Sequence, residues 1–313
     1  METAICTLAE GDYHLGVGAL ANSLHKSGFR GKFFCGYRGK LPHWFRKDMG
    51  GVEDSGIMQA DGMEVIYVPL ETTMHFTNFK PRFMLNLLGG MAQNANKIYY
   101  IDPDIVVKCS LKTLERWSND GVALCQGSMG FLPRRHPLRI GWLEWLQTWM
   151  PATFVERDSY YNAGFVGIER KSAHFLKLWE NIIGQVSNAI STNKKLTIGN
   201  RDDIFYIPDE YALNMALMCM DIPVNASGRE GMDFCPQGNL LSHAGGAFKA
   251  WRTKFILQAL RGTAPVIGAR LFGKNLTKPI QVFSDKDRRW FEFRLNVAAN
   301  ISRFVKPKEF RWN

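Results

Sequence analysis

Two aspartates one residue apart follow an apolar segment near the end of the first third of the chain. Residues 97–101 read Lys-Ile-Tyr-Tyr-Ile, Asp102-Pro103-Asp104 comes next, and Ile-Val-Val follows. Such an apolar run predicts a buried strand. Because an ionised carboxylate is costly to bury unpaired, this pair favours a bound cation, which would in turn hold an anionic group. The same spacing at Asp285 and Asp287 lies in a charged stretch, where a solvated face is expected.

The elements that position this pair alternate between strand-like and helix-like patterns. Strands are predicted at 3–9, 32–37, 64–68 and 98–101, and helices at 15–26 and 81–92, with Pro81 near the first turn of its helix. This βαβ rhythm predicts an α/β fold, a mostly parallel twisted sheet with helices on both faces. Ligands bind such sheets beyond the carboxyl ends of the strands, which is where Asp102 and Asp104 lie.

Composition sets the class of protein. The 313 residues are 46% hydrophobic and 22% charged, which suits one large globular domain, or one domain with an appended tail. The sequence shows neither a run of about 18 apolar residues nor a signal-peptide pattern, so no spanning helix is expected. Six cysteines without Cys-x-x-Cys spacing favour buried free thiols in a reducing compartment, and hence a cytoplasmic location.

A histidine, two glycines and a lysine form a second candidate site near residue 243. The segment reads Ser-His243-Ala-Gly245-Gly246-Ala-Phe-Lys249. Glycines let backbone N–H groups approach a phosphate closely, and a lysine adds a point charge. The group is a plausible clamp for a pyrophosphate.

Five short motifs, in order, resemble the retaining glycosyltransferases of family 8. This family has the GT-A fold and includes glycogenin and bacterial lipopolysaccharide galactosyl- and glucosyltransferases. The motifs are Leu-Ala-Glu-Gly-Asp-Tyr at 8–13, Tyr-Ile-Asp-Pro-Asp at 100–104, Tyr-Asn-Ala-Gly-Phe at 161–165, Pro-Asp-Glu-Tyr-Ala-Leu-Asn at 208–214 and His-x-x-Gly-x-x-Lys-x-Trp at 243–251. Each motif is weak alone, but five in the correct order make a chance match improbable.

The resemblance implies a UDP-sugar donor, a divalent metal and a carbohydrate or glycolipid acceptor. It makes Asp102, Asp104 and His243 the ligands of Mn²⁺, with Mg²⁺ acceptable. The tyrosine of the first motif would stack on uracil, and an acidic residue of that motif would contact the base. The candidate donor-binding residues are Ala9, Glu10, Asp12, Tyr13, Lys80, Asp102, Pro103, Asp104, Asn162, Ala163, Gly164, Gly246 and Lys249.

Two positions of the resembled pattern leave alternatives open. Glu210 stands where many members carry glutamine, so it is a candidate nucleophile, an electrostatic stabiliser of the sugar cation, or a hydrogen-bonding residue only. Asp209 is the second catalytic candidate. The basic residue of the helix before the metal strand is either Lys80 or Arg82, and spacing does not decide between them.

The last fifth of the chain carries the whole excess of positive charge. Residues 249–313 hold 15 Lys or Arg and 4 Asp or Glu, a balance of +11 against +10 for the whole chain. We therefore predict a catalytic domain at 1–251 and a basic, aromatic region at 252–313, with a helix over 288–304. Its arginines and aromatic side chains favour peripheral attachment to an anionic membrane, as in the resembled transferases, over a helix packed on the domain. Nucleic acid is not an expected partner because no recognisable motif accompanies the charge.

Two other functions compete with sugar transfer. A nucleotidyltransferase that makes sugar nucleotides would need a glycine-rich, basic loop after the first strand, and residues 10–14 are instead acidic and poor in glycine. A non-catalytic nucleotide-sugar-binding protein is disfavoured because Asp102, Asp104, His243 and Lys249 are all present.

Overall fold

The computed structural model describes residues 2–45, 56–150, 153–190, 204–245 and 249–305. The strands within these residues are β1 (Thr3–Glu10), β2 (Lys32–Arg38), β3 (Ile57–Ala60), β4 (Met63–Pro69), β5 (Lys97–Ile101), β6 (Ile105–Val107), β7 (Val122–Phe131), β8 (Ser159–Glu169), β9 (Val224–Ser227) and β10 (Leu241–His243). The helices are α1 (His14–Lys26), α2 (Phe76–Gly89), α3 (Leu111–Trp117), α4 (Pro137–Gln147), α5 (Ala173–Ala189), α6 (Pro208–Met218), α7 (Phe255–Leu260), α8 (Ile267–Gly273) and α9 (Asp285–Phe304).

Eight of the described strands form one mixed sheet in the order β3-β4-β2-β1-β5-β8-β7-β9. The pairs β4–β2, β2–β1, β1–β5 and β7–β9 are parallel, whereas β3–β4, β5–β8 and β8–β7 are antiparallel. Strands β6 and β10 form a separate antiparallel pair. The prediction of a mostly parallel sheet is therefore confirmed.

Both faces of the sheet are buried under helices. In β1, Cys6 and Leu8 face a core layer shared with α2, α5 and α6, whereas Ile5 and Ala9 face a layer shared with α1, α8 and α9. A strand covered on both sides is apolar along its whole length instead of alternating. This explains why residues 3–9 and 97–101 read as continuous apolar runs.

Helix α2 differs from its prediction at both ends. It begins at Phe76 and ends at Gly89, so Pro81 is its sixth residue and not part of its first turn. The predicted boundaries were wrong because the cap is His75, whose Nδ1 accepts from the Thr77 N–H at 3.4 Å. Histidine is not among the residues usually read as N-caps.

The C-terminal helices pack on the sheet. Helix α9 confirms the helix expected over 288–304 and begins three residues earlier, where the Ser284 hydroxyl accepts from the Asp287 N–H at 3.1 Å. Phe255, Phe272 and Phe291 lie in the same buried layer as Ile5. The division of the chain at residue 251 stays a prediction. Among the described helices, none combines the length and apolar character needed to cross a bilayer.

Candidate active site

A cleft of about 470 Å³ opens at the carboxyl edge of the parallel strands, where β5 ends before Asp102. This volume is within the usual range of small-molecule sites. Six segments that are separated in sequence meet there. The lining residues are Leu8, Glu10, Tyr13, His75, Phe76, Thr77, Lys80, Tyr100, Asp102, Pro103, Asp104, Asn162, Gly164, Ile207, Pro208, Asp209, Glu210, His243, Gly245 and Lys249.

The Asp-Pro-Asp turn is fixed through its backbone. The Asp102 N–H donates to the Gly164 carbonyl at 2.7 Å, and the Asp102 carbonyl accepts from Ile105 N–H at 3.0 Å. Helix α1 passes so close that a Cβ on Gly16 would lie 2.3 Å from the Pro103 carbonyl oxygen. The turn therefore holds its two carboxylates in place without needing a ligand to shape it.

Strand β10 brings His243 to these carboxylates from 139 residues further along the chain. It pairs with β6, so that His243 lies opposite Ile105, and the Ala244 N–H donates to the Asp104 carbonyl at 3.0 Å. The imidazole Nε2 lies 3.3 Å from Asp104 Oδ1 and 4.0 Å from Asp102 Oδ2.

The donor atoms of Asp102, Asp104 and His243 fit a divalent ion. One atom from each residue lies within 4.8 Å of the other two. Two carboxylates and one imidazole suit Mn²⁺ well and Mg²⁺ acceptably. Gly164 leaves this space open, because a Cβ there would lie 2.8 Å from Asp102 Oδ2 and 3.0 Å from His243 Cε1.

Charges around Asp104 compensate one another. Burial alone would raise the pKa of Asp104, but His243 and Lys249 outweigh it and hold the pKa below its usual value. Burial alone would lower the pKa of His243, and Asp104 reverses the direction. The Lys249 Nζ donates to Asp104 Oδ2 and, at 3.3 Å, to the Ala244 carbonyl. An anion that reaches this cluster meets an ammonium already positioned beside the carboxylate.

Tyr13 lies on the same side of the cleft, with its ring half-buried between cations and a second aromatic ring. The ring centroid is 5.5 Å from that of Trp251 in an edge-to-face arrangement and 5.8 Å from Lys249 Nζ. The guanidinium of Arg252 lies 5.1 Å from the same centroid. Tyr13 therefore lies beside Lys249 in the cleft, and its stacking on a base stays a prediction.

The other first-motif residues are engaged elsewhere. Glu10 lines the cleft, but its Oε2 accepts from Arg38 Nε at 2.9 Å. Asp12 is not a lining residue: it pairs with Arg252, and this hydrogen bond lowers the pKa of Asp12. Ala9 is buried in the core and does not line the cleft. Donor contacts by these three residues stay predictions.

Lys80 forms the floor between the two acidic ends of the cleft. Its side chain is 3% exposed, and its Nζ donates to Asp209 Oδ2 at 3.0 Å and lies 3.3 Å from Asp102 Oδ1. It also donates to the Ala163 carbonyl at 3.1 Å. Burial alone would lower the Lys80 pKa, but the carboxylates of Asp102 and Asp209 raise it. Arg82, the alternative left open by spacing, points away and pairs with Glu180 at 2.5 Å.

Glu210 is the buried carboxyl of the opposite wall. Its Oε2 accepts from Asn162 Nδ2 at 2.6 Å and from the Ala163 N–H at 3.4 Å. Burial raises its pKa to about 7; Asp209 acts in the same direction, and the Tyr160 hydroxyl opposes it. Glu210 is therefore partly protonated at neutral pH, whereas its neighbour Asp209 is matched by the Lys80 ammonium.

Tyr100 and His75 are among the lining residues that the sequence analysis did not propose as site residues. The Tyr100 hydroxyl donates to Asp102 Oδ1 at 2.8 Å, and the signal for it was present, because residues i and i+2 of an extended chain share a face. His75 lines the cleft as the cap of α2, and burial lowers its pKa. Gly246 lies outside the described residues, so its predicted role has no structural account.

Comparison with known proteins gives structural matches only. No family model and no curated protein matches the sequence. The glycosyltransferase GlyE of Streptococcus pneumoniae TIGR4 matches all of this chain and 66% of its own, with a TM-score of 0.52 and 15% identity. The bifunctional glycosyltransferase WbbM, in its apo form, matches 94% of this chain and 51% of its own, with a TM-score of 0.55 and 14% identity.

LgtC, in an active-site mutant with glutamate in place of glutamine, matches 91% of this chain and 99% of its own. Its TM-score is 0.54 and its identity 13%. The chain has the GT-A glycosyltransferase fold. The fold expected from the five motifs is thereby confirmed. The chain spans less than two thirds of GlyE and about half of WbbM.

Proposed function

We propose that this protein is a metal-dependent glycosyltransferase that moves a hexose from a UDP-sugar to a hydroxyl of a carbohydrate or glycolipid, with retention of anomeric configuration. One observation carries the proposal. In a glycosyltransferase fold, a single cleft has the Asp102–Asp104–His243 cluster on one side and the buried Glu210 on the other, with Lys80 between them. That arrangement suits a substrate with a diphosphate at one end and a sugar at the other.

We assign the diphosphate end of the donor to the Asp102–Asp104–His243 cluster. Asp102, Asp104 and His243 would hold Mn²⁺ or Mg²⁺, which supplies Lewis-acid neutralisation of the leaving diphosphate. The Lys249 ammonium, bonded to Asp104, would add a positive charge and a hydrogen-bond donor for a phosphate oxygen. Tyr13 offers a π-face to the uracil, as stacking on aromatic rings requires.

We assign the sugar end of the donor to the part of the cleft lined by Asn162 and Glu210. In transfer, the bond from the anomeric carbon to the diphosphate breaks, a bond to the acceptor oxygen forms, and the acceptor's proton ends on the released diphosphate. Glu210 is better placed than Asp209 to stabilise the positive anomeric centre, because Lys80 already neutralises Asp209. Our hypothesis is that Glu210 acts electrostatically, with covalent attack as the alternative.

A donor screen tests the proposal. The protein is incubated with a panel of UDP-sugars and Mn²⁺, and the release of UDP by hydrolysis is followed, with a chelator as the control. We expect turnover with one or a few donors that stops when the metal is removed. Failure to bind or hydrolyse any UDP-sugar would contradict the proposal, and release of pyrophosphate from UTP and a sugar phosphate would indicate a nucleotidyltransferase.

We also propose peripheral attachment to an anionic membrane through the C-terminal region. Trp290, Phe293 and Phe304 of α9 are 55%, 54% and 87% exposed. Arg289 and Arg303 are exposed on the same helix. Exposed aromatic and basic side chains on one helix are typical of interfacial binding, and the buried Phe291 and Leu295 anchor that helix to the domain.

A further inference from the structure

A second pocket, away from the cleft, is built from four arginines and an apolar wall. Arg134, Arg135, Arg139 and Arg157, here called the arginine pocket, line a cavity of about 230 Å³ together with residues that include Leu143 and Phe154. Helix α6 begins in the cleft at Pro208 and ends at this pocket with Met218. Its 11 residues place the two sites about 15 Å apart.

Two of these arginines are held by neutral partners alone. The Arg139 residue is 2% exposed, and its guanidinium donates to the Leu132 and Ser159 carbonyls at 2.8 and 2.6 Å. The Arg157 guanidinium donates to the Leu217 and Ile222 carbonyls at 2.8 and 2.9 Å. Within the described parts of the chain, neither forms an ion pair with a carboxylate. Burial lowers the pKa of Arg139 to about 10, so the group keeps its charge at neutral pH.

Uncompensated buried charge is unfavourable, and proteins normally pair it. The carboxylates of Asp158 and Asp221 raise the pKa of Arg139 and Arg157, respectively, by less than burial lowers it, so they compensate these charges only in part. Arg134 is already bonded to Glu156, and Arg135 is exposed with no described ion-pair partner. A pocket with this net positive charge and an apolar wall is complementary to an oxyanion attached to an apolar chain. Nε and Nη2 of Arg139 and Arg157 donate to carbonyls, so a phosphate oxygen would accept from their remaining N–H groups and from Arg135.

We propose that the arginine pocket binds a phosphate monoester carried on an apolar chain. The phosphate lies among Arg135, Arg139 and Arg157, and the chain lies on Leu143 and Phe154. The phosphate of such a ligand supplies the negative charge that the carbonyl partners of Arg139 and Arg157 lack. The site is independent of the cleft and of the reaction proposed for it.

Titration calorimetry on the full chain, with a chelator present, tests this site. The probes are octyl phosphate below its micellar concentration, inorganic phosphate and octanol. We expect saturable binding of octyl phosphate, weaker binding of inorganic phosphate and none of octanol. Arg135→Gln should weaken octyl phosphate binding by about tenfold or more, the loss expected for a charge-assisted hydrogen bond.

Two matched variants separate this pocket from general surface charge. Arg116→Gln on α3 and Arg30→Gln before β2 remove the same charge from exposed positions elsewhere, and binding should stay within about twofold of the unchanged protein. Equal weakening by all three substitutions would overturn the proposal, as would the absence of saturable binding. Equal affinity for inorganic and octyl phosphate would overturn the role of the apolar wall.

Discussion

The Lys80 ammonium donates to the Asp209 carboxylate at 3.0 Å inside the protein, where both residues are less than 10% exposed. Lys80→Met would remove the ammonium that pairs with the Asp209 carboxylate. Removing one partner of a buried pair costs about 3–5 kcal/mol, so we expect a loss of that size in the free energy of unfolding. Urea denaturation measures it.

Arg82→Met is the matched control for this substitution. It removes a cation two residues away on the same helix, but the Arg82 side chain is 51% exposed. An exposed ion pair contributes about 1 kcal/mol or less. Equal destabilisation by both substitutions would show that the Lys80 bridge is not a buried pair in solution.

The two Asp-x-Asp pairs of this chain should differ in metal binding. Asp104→Asn removes a ligand of the proposed ion, so Mn²⁺ affinity should fall by more than the roughly 10–100-fold that outer-shell losses cost. Asp285→Asn alters the same spacing at the exposed first turn of α9 and should leave Mn²⁺ affinity unchanged. The Mn²⁺ affinity of both variants can be measured by titration, with free Mn²⁺ quantified by electron paramagnetic resonance. An unchanged Mn²⁺ affinity in Asp104→Asn would show that Asp104 is not a ligand of the ion.

Glu210 should make stability depend on pH. Its pKa is about 7 in the folded protein against an ordinary value of 4.5, so the folded state binds more protons between these values. Stability contributed by the protonated carboxyl is therefore present below pH 4.5, falls as pH rises towards 7 and is flat above. Glu210→Gln should remove this fall, which is at most about 3 kcal/mol. Unfolding free energies at pH 5 and pH 8 give the difference.

The exposed Glu144 provides the control, because Glu144→Gln should leave that pH dependence intact.

The same Glu210→Gln variant also distinguishes two catalytic roles of Glu210. We expect a lower rate with measurable transfer remaining, since an amide keeps a dipole toward the anomeric carbon. Complete loss of transfer with unchanged donor binding would indicate a covalent nucleophile instead.

Gly164 should be intolerant of a methyl group although it is not itself a ligand. In Gly164→Ala, the Cβ would lie 2.8 Å from both Asp102 Oδ2 and Asn162 Oδ1. Displacement of that carboxylate should lower Mn²⁺ affinity by about tenfold or more. Gly184→Ala in α5 meets nothing within 4 Å and should instead stabilise the protein by up to about 1 kcal/mol. Unchanged Mn²⁺ affinity in Gly164→Ala would show that the Asp-Asp-His cluster binds the ion even when the Asp102 carboxylate is displaced.

Membrane attachment predicts a composition-dependent and salt-dependent interaction. The full chain should sediment with vesicles that contain anionic phosphatidylglycerol, and less with pure phosphatidylcholine, because the basic helix is attracted to negative surfaces. The double substitution Trp290→Ala and Phe293→Ala should reduce the bound fraction, whereas Phe131→Ala, an exposed aromatic of β7, should not. Equal binding to both lipids would rule out the electrostatic contribution.

The sequence predicted the parts of the site that are local in the chain. An apolar strand followed by Asp-Pro-Asp indicated both the turn and its place at the sheet edge. It did not choose between Lys80 and Arg82, because the choice depends on Asp209, 129 residues away. The family resemblance also suggested Glu10 or Asp12 as a base contact, and the pairing of Asp12 with Arg252 from the C-terminal region could not be predicted from either segment. Which charged groups pair across the fold depends on tertiary packing, which local patterns do not encode.

Helix α2 shows the same limit at the level of secondary structure. Pro81 predicts a helix start, but the helix begins five residues earlier, under a histidine cap, and contains the proline in its interior. The buried Arg139 and the half-buried Arg157 had no sequence signal either, since an arginine that bonds only to backbone carbonyls looks like any surface arginine.

The pairing of β6 with β10 sets an order of events during biosynthesis. Asp102 and Asp104 leave the ribosome long before His243 and Lys249, and the turn that carries the aspartates can form without them. A nascent chain shorter than β10 therefore displays two carboxylates but no complete cluster. The proposed ion site is complete only once β10 has been synthesised, so a product truncated before His243 would lack one of the three proposed ligands.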